Sequence, residues 1–510
     1  MGEPLLFSVD LGTSFIKVGV YNTQSECITE ATEAVKDYRP EPGIFIQKGE
    51  ELFASVVACL KKAARELGDS SRDVEAIAFT GQMSGFMGVD KNWDDITTWS
   101  CSLDTRYMPY AERQMSLLKQ DFLETAGTNF PAMAPKIEWF RSEFPSENEK
   151  IAKYVIISGY VIGKLGKLPV EDAVIDRSLI AWTGLSDIRN DKWSDKICGA
   201  LKIDKALLPG IVDSNVICGK LDQSMADEIG LKSGIPLVSG AGDKVAGCLG
   251  AAVVTPGEMV FEAGSYGEIS CCVEEYRPDT DEMRLDVLSA AIPKYFYATH
   301  FIAGSGITFD WFINNFVRKE GEELKDAFAR MESAAAAIPP GCDGVMAIGL
   351  LGGSSMPIDG VIRGLWAGHN WSHRTEHFYK SLMESFTYDF ALAMKSIDRL
   401  YPEYDLSTVD MIGGGAKSPL WMQMFADVTG KTFRSVSRKD VSMWGAALLA
   451  GNAIGVFEDI KAVAKKHIAP VAEYKPNPSL ADEYHKHMQM YKEKLNDLRP
   501  LYKQLQENMS

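Results

Sequence analysis

Three turns of this chain combine glycine with hydroxyl or carboxylate side chains, which is the chemistry of phosphate binding. The first turn contains Asp10, Gly12, Thr13 and Ser14, with Lys17 close behind, between two apolar runs. Glycine lets the backbone approach a ligand closely, hydroxyls and backbone N–H groups can donate to phosphate oxygens, and a carboxylate can hold magnesium. A single turn of this kind is common, so its meaning depends on the other two.

The second and third turns lie in the second half of the chain. Gly264 and Ser265 separate two apolar runs, as residues 12–14 do in the first half. The third turn follows an apolar run and precedes a helical pattern, an arrangement that suits an anion or the flat face of a nucleotide. Its residues are Gly413, Gly414, Gly415, Ala416 and Ser418.

Asp243 lies between a short apolar run and a small-residue helix, at the end of the glycine-rich stretch 240–243. A carboxylate placed in this way can accept the proton of a hydroxyl that attacks phosphorus. As an isolated residue it could equally cap a helix. Asp104 and Arg106 offer an acceptor beside a donor, and taken alone they are typical of a surface ion pair.

Three histidines recur every four residues, at His369, His373 and His377, which is the spacing of metal ligands on one helical face. However, residues 370–372 have the composition of a turn, and no carboxylate completes the set. We therefore do not predict a metal site there.

The elements that must position these residues alternate between strands and helices. Three short strands come first, followed by a helix over residues 49–67 and a strand over residues 74–80. A strand, a turn and a second strand recur over residues 259–273. This pattern predicts an α/β protein built from two similar halves, with their loops facing each other across a cleft. The charged tail, residues 480–505, is predicted to be helical and to serve packing.

Composition excludes several classes of protein. The chain has 510 residues, of which 46% are hydrophobic and 24% are charged, and its formal net charge is −17. This length favours two domains, and the acidic balance opposes nucleic acid or an anionic membrane as the partner. Nine scattered cysteines without a CxxC pair, and the lack of a signal segment or spanning apolar run, predict a cytoplasmic protein with no membrane partner.

The three turns and the Gly-Asp segment, in this order, resemble those of the FGGY carbohydrate kinases, a branch of the actin-like ATPase superfamily. The likeness covers nearly the whole chain. It implies a two-domain actin-like ATPase fold, made of duplicated ribonuclease H-like domains with an interdomain cleft. Residues 1–245 would mainly bind sugar and carry the first phosphate loop and the base. Residues 246–455 would mainly bind nucleotide, and residues 456–510 would form a C-terminal helical extension.

The resemblance also implies a role for each candidate site residue. It makes Asp243 the general base and places Mg²⁺ at Asp10. The residues implied to bind ATP are Gly12, Thr13, Ser14, Lys17, Gly264, Ser265, Gly413, Gly414, Gly415, Ala416 and Ser418. Those implied to bind the sugar are Gln82, Met83, Ser84, Asp104, Arg106 and Asp243. Xylulose kinases typically have histidine where this chain has Ser84, and such a change in the sugar site can reassign the substrate.

The expected reaction is therefore ATP-dependent phosphorylation of a primary hydroxyl of a ketopentose resembling D-xylulose. The expected partners are the small-molecule sugar and ATP, and the resemblance allows a homodimer. One alternative is a kinase for another ketose or a polyol. A second is a catalytically silent sugar sensor, because residues 352–357 replace a Gly-Glu-Arg segment common in the family. A third is an actin-like ATPase that performs conformational work, which the sugar-binding segments oppose.

Overall fold

A six-stranded sheet forms the first half of the molecule in the computed structural model, which describes residues 2–507. At its centre, an antiparallel hairpin places Asp10 opposite Lys17, and its first strand runs parallel to Val74–Gly81. From edge to edge the strands are Ile217–Lys220, Pro236–Val238, Val74–Gly81, Leu5–Leu11, Phe15–Tyr21 and Cys27–Ala34. We call Leu5–Leu11 and Phe15–Tyr21 the first hairpin.

A seven-stranded sheet forms the second half and repeats this arrangement. The second hairpin, Met259–Ala263 and Gly267–Val273, is antiparallel, and its first strand runs parallel to Thr408–Gly413. The full order is Asp286–Ser289, Phe296–Ile302, Gly267–Val273, Met259–Ala263, Thr408–Gly413, Thr432–Val436 and Pro470–Tyr474. A hairpin beside a parallel strand thus occurs in both sheets, which confirms the predicted duplication.

Helices cover and connect the two sheets. The α-helices are Gly49–Leu67, Met108–Asp121, Ala134–Glu143, Pro145–Asn148, Ile157–Gly166, Asp195–Leu201, Gln223–Ile229, Asp243–Gly250, Ser305–Phe312, Leu324–Ala335, Thr375–Leu400, Pro419–Thr429, Val441–Ala453, Ile460–Lys466, Ala481–Asp497 and Arg499–Glu507. The predicted first helix buries one apolar face at Leu52, Val56 and Leu60. The predicted helical tail comprises two helices, and Tyr484, Met488 and Tyr491 of the first are buried.

Two of these helices pack against each other between the sheets. Asp243–Gly250, which we call the base helix, lies against Val441–Ala453, which also contacts Leu5–Leu11 and Val74–Gly81. Glycines make this approach close. A Cβ atom on Gly445 would lie 1.9 Å from the Ala246 carbonyl oxygen, and one on Gly250 would lie 1.9 Å from that of Val441. The base helix therefore packs directly against the backbone of a helix of the second half.

A smaller sheet extends the first half beside the hairpin. Its strands are Ser100–Cys101, Gly85–Val89 and Lys153–Val155, in that order. The turn after the first of these strands contains Asp104. None of the helices within residues 2–507 is both long and apolar enough to cross a membrane.

Candidate active site

The turn of the first hairpin is held through its carbonyl groups. Gln47 Nε2 donates to the Thr13 carbonyl oxygen at 2.7 Å, and the Val35 amide donates to that of Ser14 at 3.0 Å. A Cβ atom on Gly12 would lie 2.6 Å from the Phe15 carbonyl oxygen, so the tight turn requires glycine there. The Ser14 side chain is exposed and that of Thr13 is half-buried. Lys17, opposite Asp10, is also exposed.

The second and third turns contact each other. Gly413 has a φ of +85°, and a Cβ atom there would lie 2.8 Å from the Ala263 carbonyl oxygen and 3.2 Å from the Gly264 amide nitrogen. A Cβ atom on Gly415 would lie 2.5 Å from that of Ala263. Only glycine fits these positions, and it allows the two turns to approach closely. Turns that are about 150 residues apart in sequence therefore form one surface. Gly414 and Ser265 are both exposed on it.

The remaining residues of these turns have different surroundings. The Ser265 carbonyl oxygen accepts from the Ile307 amide at 3.2 Å, which joins the second turn to helix Ser305–Phe312. Ala416 is half-buried. The Ser418 hydroxyl accepts from the Trp421 amide at 3.1 Å and donates to Glu332. Ser418 therefore caps helix Pro419–Thr429, which gives it a structural task in addition to the predicted one.

Asp243 is the first residue of the base helix and lies against the first sheet. A Cβ atom on Gly240, whose φ is +72°, would lie 1.7 Å from the Phe79 carbonyl oxygen. A Cβ atom on Gly242 would lie 2.6 Å from Met83 Cγ. The Gly242 amide donates to Ser178 Oγ at 2.9 Å. The turn before the helix is thus fixed directly beside the predicted sugar segment.

Two carboxylates in this region, Asp243 and Asp10, have raised pKa values. Burial raises the pKa of Asp243, the Lys244 ammonium opposes the rise, and Glu262 adds to it. Burial also raises the pKa of Asp10 to about 6, with a further rise from Asp243 and opposition from Lys17 and Lys244. A carboxylate with a raised pKa is a stronger proton acceptor than an ordinary one, which is the property that a general base needs.

The segment that begins at Gln82 links the first hairpin to the turn before Asp243. The backbone N–H of Gln82 donates to the Leu11 carbonyl oxygen at 3.2 Å. In the side chain, Gln82 Oε1 accepts from Trp99 Nε1 at 3.2 Å. Gln82 Nε2 is buried and has no hydrogen-bond partner in the protein. Met83 is buried against Gly242, and Ser84 is half-buried. An oriented amide with a free donor suits a ligand hydroxyl.

Asp104 and Arg106 form a bidentate pair with a buried carboxylate and a guanidinium that is 25% exposed, whereas the sequence taken alone suggested a surface pair. Arg106 Nε and Nη2 donate to the two Asp104 oxygens at 2.9 and 2.7 Å, and the Asp104 side chain is only 1% exposed. Ser100 Oγ also donates to Asp104, at 2.9 Å. The Arg106 guanidinium lies 4.6 Å from the centre of the Trp139 ring. Both charges are therefore already satisfied by protein groups.

Several residues near the site had no signal in the sequence. Trp99 orients Gln82, and Lys136 Nζ donates to the Ser100 and Cys101 carbonyl oxygens at 2.8 and 2.7 Å. Burial lowers the pKa of Lys136 to about 8. Lys244, next to Asp243, pairs with Glu262 at 2.9 Å. These contacts join residues that are distant in sequence, so only the folded chain reveals most of them.

Residues 2–507 contain no group of three or more histidine, cysteine, aspartate or glutamate side chains arranged to hold a metal ion. His377 lies in the first turn of helix Thr375–Leu400, and its ring is 5.1 Å from that of His373. Both rings face Asp343. His377 Nε2 lies 3.3 Å from its carboxylate, and His373 Nε2 lies 3.2 Å from its carbonyl oxygen.

Comparison with solved structures defines the class of protein. The chain matches the ligand-bound xylulose kinase of Lactobacillus acidophilus with a TM-score of 0.89 at 19% identity, over 98% of this chain and 100% of the other. It matches the gluconate kinase of the same organism with the same score and identity, over 99% and 100%. The fold is thus the two-domain α/β fold of sugar kinases, an actin-like ATPase fold.

Comparison with protein families then identifies the family. Residues 5–250 match the N-terminal domain of the FGGY family of carbohydrate kinases, and residues 268–454 match its C-terminal domain. The chain belongs to this family and is a sugar kinase. The xylulose kinase of Bacillus subtilis is 26% identical over 493 residues, which cover 96% of each chain. The gluconokinase of Bacillus licheniformis is 24% identical over 494 residues, which cover 95% of this chain and 94% of the other.

Proposed function

We propose that this kinase transfers the γ-phosphoryl group of ATP to a primary hydroxyl of a ketopentose resembling D-xylulose, with Asp243 as the general base. The contact between Gly242 and Met83 carries the proposal, because it sets the base beside the sugar segment. The hydrogen bond between Gln82 and Leu11 sets the same segment beside the first hairpin. The candidate base, sugar contacts and phosphate turn are thus neighbours.

Each side chain of the sugar segments has a distinct task in this proposal. Gln82 Nε2 donates to a sugar hydroxyl, since it is buried without a partner. Ser84 offers a hydroxyl where xylulose kinases typically have histidine, and Met83 covers the carbon chain. Asp243 orients the primary hydroxyl and accepts its proton as the oxygen attacks phosphorus. Asp104 and Arg106 shape the wall of the sugar site as a pair.

Exposed hydroxyl and backbone groups of the three turns would bind ATP. Ser14, Ser265 and Gly414 are exposed, as a phosphate or nucleotide contact requires. Asp10 fits a magnesium ion, because burial and the nearby Asp243 carboxylate disfavour its negative charge, as its raised pKa shows, and a bound cation would offset both effects. Magnesium commonly takes one or two carboxylates together with substrate phosphates, so a site with few protein ligands suits it. When bound, the ion would neutralise charge on the phosphoryl oxygens.

A neutral sugar fits the charges of the site better than a sugar acid does. Arg106 is bound through two hydrogen bonds to Asp104, and Lys136 is turned towards two backbone carbonyls. Neither cation of these segments is therefore free to pair with a substrate carboxylate. This favours a ketopentose over an aldonate such as gluconate. Another neutral ketose or a polyol remains the alternative substrate, and a silent sugar sensor remains the alternative function.

A coupled assay of ADP release over a panel of ketoses, polyols and aldonates tests the proposal. We expect D-xylulose or a close ketopentose to give the largest kcat/KM and gluconate to give the smallest. Asp243→Asn should lower kcat by at least about 100-fold, because a general base contributes this much or more. Asp222→Asn, at a half-buried helix N-cap outside these segments, is the matched control and should keep wild-type activity. Sugar binding without ADP release would establish the sensor instead.

A further inference from the structure

Three charged side chains next to the base form a cluster that the proposed reaction does not use. Lys244 follows Asp243 on the base helix, and its Nζ atom lies 2.9 Å from Glu262 Oε2 and 4.0 Å from Glu268 Oε2. The Lys244 and Glu268 side chains are 19% and 4% exposed. Glu262 and Glu268 belong to the two strands of the second hairpin. The cluster therefore joins the base helix to the second half of the molecule.

The two glutamates face each other across the hairpin. Glu262 and Glu268 are directly opposite in the strand register. Like charges in this position destabilise a hairpin, and a cation between them offsets the repulsion. Glu268 Oε1 accepts from Ser270 and Thr299 at 3.1 and 3.0 Å, but its Oε2 atom has no hydrogen-bond partner. Lys244 is the cation that both carboxylates approach.

The two glutamates lie on either side of the second phosphate turn. Glu262 precedes and Glu268 follows the turn that holds Gly264 and Ser265. A cation that binds both glutamates therefore connects the two strands, or stems, that flank that turn. The same lysine is the neighbour of the base and donates its backbone N–H to Asp243 Oδ1 at 2.8 Å. One residue thus touches both the proton acceptor and the stems of the second phosphate turn.

We propose that Lys244 is a positioning residue for phosphoryl transfer, which fixes the base relative to the second phosphate turn by binding Glu262 and Glu268. The inference rests on the proposed function. In this reaction Asp243 holds the attacking hydroxyl and the turns hold the γ-phosphoryl group. The position of one relative to the other must be accurate to better than about 1 Å. Lys244 supplies this restraint through an ion pair between two elements about 20 residues apart in sequence.

Kinetics of Lys244→Met, Lys244→Arg and the double variant Lys244→Met with Glu268→Gln test the proposal. Lys244→Met should lower kcat about 10- to 100-fold, as a misplacement of about 1 Å does, while KM for the sugar changes less than about twofold. Lys244→Arg should recover most of the loss, because a guanidinium can bind both glutamates. The double variant removes the repulsion between carboxylates, so it should recover stability but leave kcat low.

Lys431→Met is the matched control for loss of a largely buried lysine. Lys431 Nζ lies 2.7 Å from Asp398 and its side chain is 10% exposed, but it precedes strand Thr432–Val436 at the end away from Gly413. Its substitution should lower stability and leave kcat unchanged. If Lys244→Met keeps wild-type kcat, or if the double variant recovers kcat together with stability, Lys244 only neutralises charge and the proposal is wrong.

Hydrogen exchange measured by mass spectrometry separates this inference from the proposed function, since it needs no turnover. In the double variant, amides of the second turn and of the base helix should exchange about tenfold faster than in the wild type, because the ion pair no longer restrains them. Lys431→Met should leave both segments unchanged. Unchanged exchange in the double variant would overturn the inference even if the enzyme phosphorylates sugar. Faster exchange would support it even if every sugar of the panel were inactive.

Discussion

At the scale of a single residue, Gln82 is the side chain that we propose to recognise the sugar. Its Oε1 atom is engaged by Trp99, so the amide cannot rotate freely, and its Nε2 donor is left buried without a partner. A buried donor without a partner is costly unless a ligand satisfies it. The sequence around Gln82 predicted a sugar contact through family resemblance. The orientation of the amide could not be predicted, because it depends on a tryptophan 17 residues away.

We expect Gln82→Leu to raise KM for the sugar about fivefold, since one neutral hydrogen bond contributes on the order of 1 kcal/mol. KM for ATP should stay unchanged in the same assay. Trp99→Phe is the control, because it removes the bond that orients the amide but keeps the donor, and it should raise KM by a smaller factor. A larger effect on ATP than on sugar would place Gln82 outside the sugar site.

At the scale of elements, hairpins and glycine turns were predictable and their packing was not. Apolar runs flanking Gly12 and Gly264 indicate strand–turn–strand units by themselves, because strand pattern and turn chemistry are local. The contact of Gly413 with Ala263 and the burial of Asp104 are not local. They depend on strand order, which a single sequence does not encode in any short motif. For that reason the two residues taken alone suggested a surface pair, whereas the Asp104 carboxylate is buried.

The packing of the base helix can be tested with Gly445→Ala. Alanine should stabilise an exposed helix by up to about 1 kcal/mol relative to glycine. At Gly445, however, its Cβ atom would lie 1.9 Å from a backbone oxygen of the base helix, which cannot rotate away. Overpacking should therefore win, with a loss of at least about 2 kcal/mol in the free energy of unfolding and a lower kcat through displacement of Asp243.

Gly199→Ala is the matched control for this substitution. Gly199 lies in helix Asp195–Leu201, and a Cβ atom there would meet no atom within 4 Å. Here the propensity term acts alone, so the thermal midpoint should stay unchanged or rise. Equal midpoints for the two alanine variants would show that the helices separate without cost.

Helix Thr375–Leu400 contains a buried carboxyl, Glu384, whose titration should affect stability. Burial raises its pKa from 4.5 to about 7, although Lys380 and hydrogen bonds from Gly341 and Tyr388 oppose the rise. Between these two pH values the folded protein holds a proton that the unfolded chain releases. The free energy of unfolding should therefore fall as pH rises from about 4.5 to 7, by up to about 1.4 kcal/mol per pH unit from this group.

Glu384→Gln removes this titration, so its thermal midpoint relative to the wild type should increase as pH rises from 5 towards 8. The measurement is a set of thermal melts of both proteins in matched buffers. Glu124→Gln, at an exposed position, should instead give a constant difference. A constant difference for Glu384→Gln as well would mean that Glu384 is ionised throughout this range.

For the whole molecule, the sequence predicted the fold class because the order of three turns and one Gly-Asp segment is a property of the entire chain. It did not predict how the halves are joined. Asp286, on the edge strand of the seven-stranded sheet, is 3% exposed and accepts four hydrogen bonds from the first half. Its donors are the Asn129 amide at 2.6 Å, Asn129 Nδ2 at 2.9 Å, Trp182 Nε1 at 2.8 Å and Thr128 Oγ1 at 3.4 Å.

This carboxylate should make the two halves unfold together. Asp286→Ala would leave the Asn129 backbone N–H and the Trp182 indole without their acceptor, and hydrogen bonds to a charged group contribute about 1.5–3 kcal/mol each. We expect a loss of at least about 3 kcal/mol in the free energy of unfolding. Calorimetry should show the single transition of the wild type split into two, since each half keeps its own sheet and core.

Asp410→Ala is the control for this experiment, because Asp410 pairs with Arg434 at 2.7 Å within the seven-stranded sheet itself. It should lower the stability of that sheet without separating the transitions of the two halves. If Asp286→Ala melts in one transition at the wild-type temperature, the helices between the sheets alone unite the molecule. A split transition would instead show that the hydrogen bonds of Asp286 couple the unfolding of the two halves.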